Sequence, residues 1–317
     1  MHERELLRRI FDVSAGLGPE VVIGPGDDMA MLRPAGWSFS HGGAVGEGCG
    51  GGVLLSVDQL IEGVHFSRTT ASLSQVGHKA MARCLSDVAA MAGKPRASLV
   101  SAVLPPSMSD DDAMELFDAM RATADMFHAP IVGGDLAAHR SQDHPLTCSI
   151  TVMAEATDRG AVSRFGARAG DLVCVTGSLG GSLDSGRHLD FQPRIGESIM
   201  LHAILSSRLH SMIDLSDGLG IDAARMLEGA DGLQVRIDAG VLPCHDGVDW
   251  KAAVSDGEDY ELLCMVAPGD IPTSIVECPL TVIGEIVDRP SLEMPPVVVS
   301  SGGVEHDVSS SGWEHQG

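Results

Sequence analysis

Six short segments place carboxylates next to glycine or serine, mostly beside apolar runs: Gly-Pro-Gly-Asp27-Asp28, Ser56-Val57-Asp58, Ser86-Asp87, Gly133-Gly134-Asp135, Asp214-Leu215-Ser216-Asp217-Gly218 and Gly257-Glu258-Asp259-Tyr260-Glu261. Taken singly, each reads as a turn or a helix cap, because such side chains satisfy local backbone N–H groups. Asp217 would cap the helix after it, and Asp135 would end a strand. Taken together they point to chemistry. Asp58 and Asp135 are expected at or just beyond the ends of apolar strands, where open α/β sheets place their ligands. Carboxylates converging there repel: two unit charges about 4 Å apart interact by roughly 4 kcal/mol at an effective dielectric of about 20. Such a cluster stands only if it is protonated or bridged by cations. Oxygen ligands with no His/Cys set at metal spacing beside them favour Mg2+ over zinc or copper.

The overall charge agrees. A formal net charge of -23, from 44 acidic and 21 basic residues, repels nucleic acid and anionic membrane surfaces. An anionic substrate would then need cations to mediate its contact. The chain has no GxxxxGK[ST] phosphate loop and no kinase-type Gly-rich loop with its companion motifs. Phosphoryl transfer without those parts must lean on metal ions and backbone amides. Glycoside hydrolysis needs a carboxylate pair flanked by aromatic sugar platforms, and one Tyr with three Trp disfavours it. The Gly-rich stretch at 40–52 lacks the Lys-Ser/Thr ending of a phosphate loop and reads as a loop of no catalytic interest.

The elements that must position these residues are partly legible. Residues 3–12 read as a short amphipathic helix. Val76, Ala80, Cys84 and Val88 recur at helical spacing across Gln75–Met91, with Ser74 as N-cap and Gly93/Pro95 as the stop. Ser109–Met126 reads as an acidic helix. Val53–Val57, Leu99–Leu104, Pro130–Val132 and Leu146–Ala154 read as strands. A second unit starts near residue 160, with strands at Asp171–Thr176, Met212–Asp214, Tyr260–Val266 and Leu280–Ile286 and a helix from about Leu219 to Leu227. Strands mixed with helices in both halves indicate an α/β (α+β) chain of two domains, 1–156 and 157–317, with the boundary between Ala156 and Arg168. Seven cysteines without CxxC spacing read as free thiols in a reducing compartment. The charged N-terminus has no signal-peptide core, and no apolar run approaches the ~20 residues of a membrane span. The expected location is the cytoplasm.

In order from Ile23 to Ile286, the segments GPGDDMAML, SVDQLIEGVHF, GHKAMARCLSDVAAMAGKP, IVGGD, SRFGARAGDLVCVTG, IDLSDGLGIDAARML, SDGEDYELL and VIGEI resemble those of the thiamine-monophosphate kinases, within the PurM-like (aminoimidazole ribonucleotide synthetase) superfamily. The resemblance implies a PurM-like fold: an N-terminal domain whose mixed sheet forms a barrel in a homodimer, a C-terminal α/β domain, and a site in the cleft between them. It implies Mg2+-dependent in-line transfer from ATP to thiamine monophosphate, giving thiamine diphosphate. Asp28, Ser56, Asp58, Asp87, Asp135, Asp214 and Asp217 match metal-binding positions, with Val57 contributing only a backbone carbonyl. Among these, Asp58, Asp87 and Asp217 are the residues on which catalysis would rest. Gly134, Arg164 and Ser216 match ATP-contacting positions; His65, Glu258 and Trp313 match positions that hold the thiamine substrate. Arg164 could clamp a phosphate bidentately, and Trp313 could stack on a cationic thiazolium or a pyrimidine.

Departures from the family pattern are Val57 and Leu136 where Thr is usual, GPGDD for GIGDD, AMAGK for AMGA, and SDGEDYEL for SGGEDYEL. None removes a carboxylate. Two rivals in the superfamily lack their expected thiol here: no Cys precedes Cys49, as selenophosphate synthetase would want, and none follows Cys278, as the hydrogenase-maturation dehydratase would want. An aminoimidazole ribonucleotide synthetase-like enzyme and a non-catalytic nucleotide-binding regulator are the remaining alternatives. Whether Asp27 is a ligand or a supporting partner stays open at this level.

Overall fold

The computed structural model describes residues 17–33, 51–141 and 143–313. The helix expected over 3–12, Cys49, and all of the 40–52 stretch except Gly51 and Gly52 lie outside these residues. The chain forms two mixed sheets with helices between and outside them, the α/β architecture expected.

The first sheet is built from β1 (Val21–Ile23), β2 (Ala30–Leu32), β3 (Val53–Ile61), β4 (Lys94–Leu104), β5 (Ile131–Ala138) and β6 (Thr147–Glu155), in the order β1-β2-β3-β6-β4-β5. Only β4 and β5 run parallel. Helices α1 (Leu73–Ala90) and α2 (Asp110–Met126) belong to this half. A capping box starts each of them. At α1 it is Ser72 with Gln75, two residues earlier than the sequence suggested; at α2 it is Ser109 with Asp112. The three aspartates in the first turn of α2 face its positive end.

The second sheet has the order β14-β13-β9-β12-β7-β10-β8, with β11 (Ser274–Ile275) paired to β12. Its strands are β7 (Leu172–Thr176), β8 (Leu209–Asp214), β9 (Leu233–Asp238), β10 (Leu262–Val266), β12 (Cys278–Asp288), β13 (Val297–Ser301) and β14 (Val304–Asp307). Its helices are α3 (Ser182–Ser185), α4 (Ile195–Leu205), α5 (Leu219–Met226) and α6 (Trp250–Ser255). Alternation along these strands divides their side chains between two cores. Cys174, Met212, Leu262 and Cys264 join Val76, Cys84 and Val88 of α1 and Leu201 of α4 in one cluster. Val173, Ile213, Leu263 and Met265 join Leu219 and Met226 of α5 in the other. Helix α1 is therefore buried between the two halves and is the element that both share.

Several strands run further than the sequence suggested, and in β3 and β5 the difference relocates two carboxylates. Asp58 and Asp135 lie inside β3 and β5, not at their ends. Ser56, Asp58 and Gln59 interrupt the apolar run without interrupting the pairing with β6. Gly133-Gly134 looks like a turn in sequence, but here it lets β5 press against β4. A Cβ at Gly134 would sit 1.8 Å from the Val100 carbonyl oxygen. Pro95, read as a helix stop, lies in β4 beside a bulge in its pairing with β6.

Register decides which face each carboxylate occupies. Asp58, Ile150, Val100 and Gly134 share one row across the first sheet; Gln59, Ser149, Ser101 and Asp135 form the next. Adjacent rows project to opposite faces. Asp58 is on the covered face with buried Leu54, Ile150 and Val152. Asp135 is on the other face, three strands away at the sheet edge, where Val57, Leu99 and Met153 are exposed at 65%, 46% and 38%.

Candidate active site

Three carboxylates meet beside α1. Asp28 comes from the loop before β2, Asp87 from the last turns of α1, and Asp214 from the end of β8. Each offers an oxygen within 4.8 Å of the others. Hydroxyls brace them: Ser56 Oγ donates to Asp87 Oδ2, and Ser86 Oγ donates to Asp214 Oδ2 at 2.6 Å. Burial, reinforced by Asp214 and Asp27 against the pull of Arg164, lifts Asp28 to about 8. Burial and then Asp214, Asp58 and Asp28 push Asp87 well above the carboxylate range. Asp214 is raised by burial and by Asp58, against Ser86 and Arg164. Asp28 Oδ2 is buried with no hydrogen-bond partner. A set of crowded carboxylates with an orphaned oxygen fits a hard divalent cation such as Mg2+.

Around this cluster the charges are arranged by residue type. Arg164 pairs through Nη2 with Asp28. Asp27 accepts from Ser163 Oγ at 2.5 Å and from the Arg164 backbone N–H at 3.2 Å, so both its oxygens are engaged by the protein. Asp58 faces Arg83 of α1, with Nε 3.1 Å from Oδ2. Asp217 stands apart from the three-carboxylate group: its Oδ2 lies 2.5 Å from Arg225 Nη1, and its backbone oxygen accepts from the Trp313 N–H at 2.8 Å. It does not cap α5. The N-cap position, Gly218, has no side-chain cap; buried Asp222 inside the helix instead ties down the preceding loop, accepting the N–H groups of Asp217 and Gly218 at 3.0 and 3.1 Å.

One helical turn from Arg83, toward the start of α1, lies Lys79, which is fully buried. Its three N–H donors go to the His65 carbonyl at 2.9 Å, to His188 Nδ1 at 2.7 Å and to Glu258 Oε2. Burial alone would raise Glu258, but the charge and hydrogen bond of Lys79, and then the charge of Arg83, prevail and lower it to about 2. Burial lowers Lys79, yet every one of its donors is met by an acceptor, and the ammonium is the form that this geometry holds. Glu258 sits at φ +53, in a loop whose N–H bonds the Ser216 carbonyl at 2.7 Å. Gly257 makes that approach possible, since a Cβ there would lie 2.7 Å from the Asp217 carbonyl oxygen. The ring centroids of His65 and Trp313 are 6.5 Å apart. The segments expected to hold an acceptor are thus brought together.

The structure groups Asp28, Ser56, Asp58, Asp87, Arg164 and Asp214 at one end of α1, and His65, Glu258 and Trp313 toward the other. The Ser216 backbone ties the two segments. Val57 lies just past the end of β2, whose pairing stops opposite Leu55, and its side chain is on the bare face. Gly134 and Asp135 are not brought to the carboxylate cluster within one chain. They border a cavity of about 440 Å3 under α2, lined by Val100, Ala102, Phe117 and Met120. Sequence reading missed Lys79, Arg83, His188 and Asp222. A signal for two of them was present: Lys79, Arg83 and Asp87 recur at i, i+4 beside the apolar row of α1.

Two mixed sheets sharing one buried helix, with carboxylates from both halves gathered at its end, define a PurM-like α/β chain. Residues 26–156 match the family model of the AIR synthase related protein N-terminal domain. The thiamine-monophosphate kinase of Rhodopirellula baltica is 35% identical over 289 residues, covering 86% of each chain. That of Mycobacterium tuberculosis is 30% identical over 298 residues, covering 86% of this chain and 81% of its own. A solved structure of AaThiL complexed with AMPPCP and TMP superposes with a TM-score of 0.80 at 25% identity, covering 99% of this chain and 97% of its own. The chain belongs to the thiamine-monophosphate kinase family.

Proposed function

We propose that this chain transfers the γ-phosphate of ATP to thiamine monophosphate, giving thiamine diphosphate and ADP. The observation that carries the reading is the convergence of Asp28, Asp87 and Asp214 in a chain 35% identical to a thiamine-monophosphate kinase over 86% of its length. An oxygen of the acceptor phosphate bonds to the γ-phosphorus. The bond to the β,γ-bridging oxygen breaks, and its electron pair leaves on ADP.

Asp28, Ser56, Asp58, Asp87, Asp214 and Asp217, with Asp135 and the Val57 carbonyl, are the groups that would hold Mg2+. The bound ions supply neutralisation of the phosphate charges and orientation of the reacting oxygens. Asp58, Asp87 and Asp217 are the carboxylates on which turnover depends most. Gly134, Arg164 and Ser216 serve ATP, and the apolar cavity beside Gly134 suits its base. Glu258, held as an anion by Lys79, faces the cationic thiazolium, with His65 and Trp313 beside it.

The bare face of the first sheet, with Val57, Leu99 and Met153 exposed, supports a homodimer closed on that face. Asp135 lies on it and would stand at the subunit interface. The change from the first sheet, ending at Glu155, to the second, beginning at Leu172, supports domains of 1–156 and 157–317. Among the described residues no helix is long and apolar enough to cross a membrane, and the site of action proposed is the cytoplasm.

The test is product formation from purified protein with Mg2+, ATP and thiamine monophosphate, resolved by chromatography with and without EDTA. Metal-dependent thiamine diphosphate is expected. ATP binding with no such product would move the assignment to another acceptor in the same superfamily.

A further inference from the structure

Lys79, Arg83 and Asp87 follow one another at four-residue intervals on α1, each step advancing about 6 Å along the axis. Lys79 contacts Glu258 on the acceptor side, and Asp87 belongs to the carboxylate cluster. Arg83 stands between them. Its Nε and Nη2 face Asp58 at 3.1 and 3.4 Å, while Nη1 is buried with no hydrogen-bond partner. The guanidinium side chain is 14% exposed. Buried donors in native proteins are nearly always paired, so a lone one on a fixed cation, set between the acceptor residues and the carboxylate cluster, calls for an acceptor.

We propose that Arg83 is a catalytic residue whose Nη1 donates to the phosphate of the acceptor, holding that anion between Glu258 and the carboxylate cluster. The inference rests on the reading given under Proposed function. Transfer between two phosphates must bring two anions together, and the space between the acceptor residues and the cluster is where they meet. Arg83 offsets part of their repulsion and fixes an oxygen for attack, through the planar fork that suits phosphate. It donates hydrogen bonds only and keeps its proton throughout, so the transfer balances as written above. The competing role is purely local, with Arg83 doing no more than neutralising Asp58.

The two roles separate on a ligand pair that differs only in the phosphate. Calorimetry with Mg2+ present would compare thiamine monophosphate with thiamine in the wild type, Arg83→Met and Arg83→Lys. Loss of a charge-assisted contact predicts about a tenfold to hundredfold weaker affinity for thiamine monophosphate in Arg83→Met. Thiamine binding and the KM for ATP should be little changed, and Arg83→Lys should recover part of the loss. An Arg83→Met protein that keeps the wild-type ratio of the two affinities overturns the proposal, as does one that loses both ligands equally. If Arg83→Met fails to fold by circular dichroism, Arg83→Gln and Arg83→Lys carry the same ratio. A wild type that makes no thiamine diphosphate overturns the parent reading and this proposal with it. A wild type that does, beside an unchanged ratio in the variants, overturns this proposal alone.

Discussion

At the Lys79 end of α1 every donor has an acceptor, and Glu258 is held ionised although buried. At the Asp87 end, about 12 Å along the same helix, three carboxylates crowd one another, their proton affinities are raised, and one oxygen has no partner. The helix and its surrounding core are shared, so burial does not separate the two regions. Completeness of pairing does. The first region is closed by the protein's own residues and can be rigid without a ligand. The second is left open and is stable as an anion cluster only with external cations. An acidic protein that must hold phosphates needs both: a fixed anion for the cationic part of one substrate, and an unsatisfied site that a metal turns positive.

The contrast can be broken at either end. Asp87→Asn should lower turnover by about a thousandfold, since it removes a ligand where several kcal/mol of charge stabilisation is at stake. In the absence of metal its melting temperature should be no lower than that of the wild type, because the neutral amide replaces a carboxyl whose charged form burial already disfavours; a large loss of stability would mean that the cluster is already satisfied. Lys79→Met should do the opposite. Removing one partner of a buried pair leaves Glu258 uncompensated, at a cost of about 3–5 kcal/mol in denaturant unfolding. A near-neutral result would show that this end is not closed as described. Glu258→Gln keeps the shape and removes the charge. It should raise the KM for thiamine monophosphate about tenfold and leave that for ATP nearly unchanged, measured by steady-state kinetics. Equal changes in both would take Glu258 out of the acceptor site.

Much of the site's membership was legible because it is written in local segments. Asp28, Asp87, Asp214 and Glu258 each sit in a short stretch flanked by Gly or Ser, and Ser109 announced the start of α2. What escaped depends on register or on distant partners. Asp58 and Asp135 look equivalent in sequence, yet one row of strand pairing sends them to opposite faces of the sheet. Lys79 reads as an ordinary helix charge until the second half of the chain supplies Glu258 and His188, and Arg83 until the register of β3 turns Asp58 toward it. The left-handed backbone at Glu258 and Tyr260 depends on the Asp214–Gly218 corner, roughly 40 residues away, and no local signal marks it.

The open character of the Asp87 end is tested most directly by proton release. In the metal-free protein Asp28 stands at about 8, above its ordinary value of 3.8, and Asp87 higher than its own. The folded state therefore carries extra protons. The stability they lend is present below the ordinary carboxylate pKa and is lost as pH rises through the raised one. A cation must displace those protons. Calorimetric titration with Mg2+ at about pH 7, in two buffers of different ionisation enthalpy, should show release of about one proton or more on binding, and less release in Asp28→Asn. Binding without proton release, or the same release from Asp28→Asn, would contradict a cluster held ready for metal.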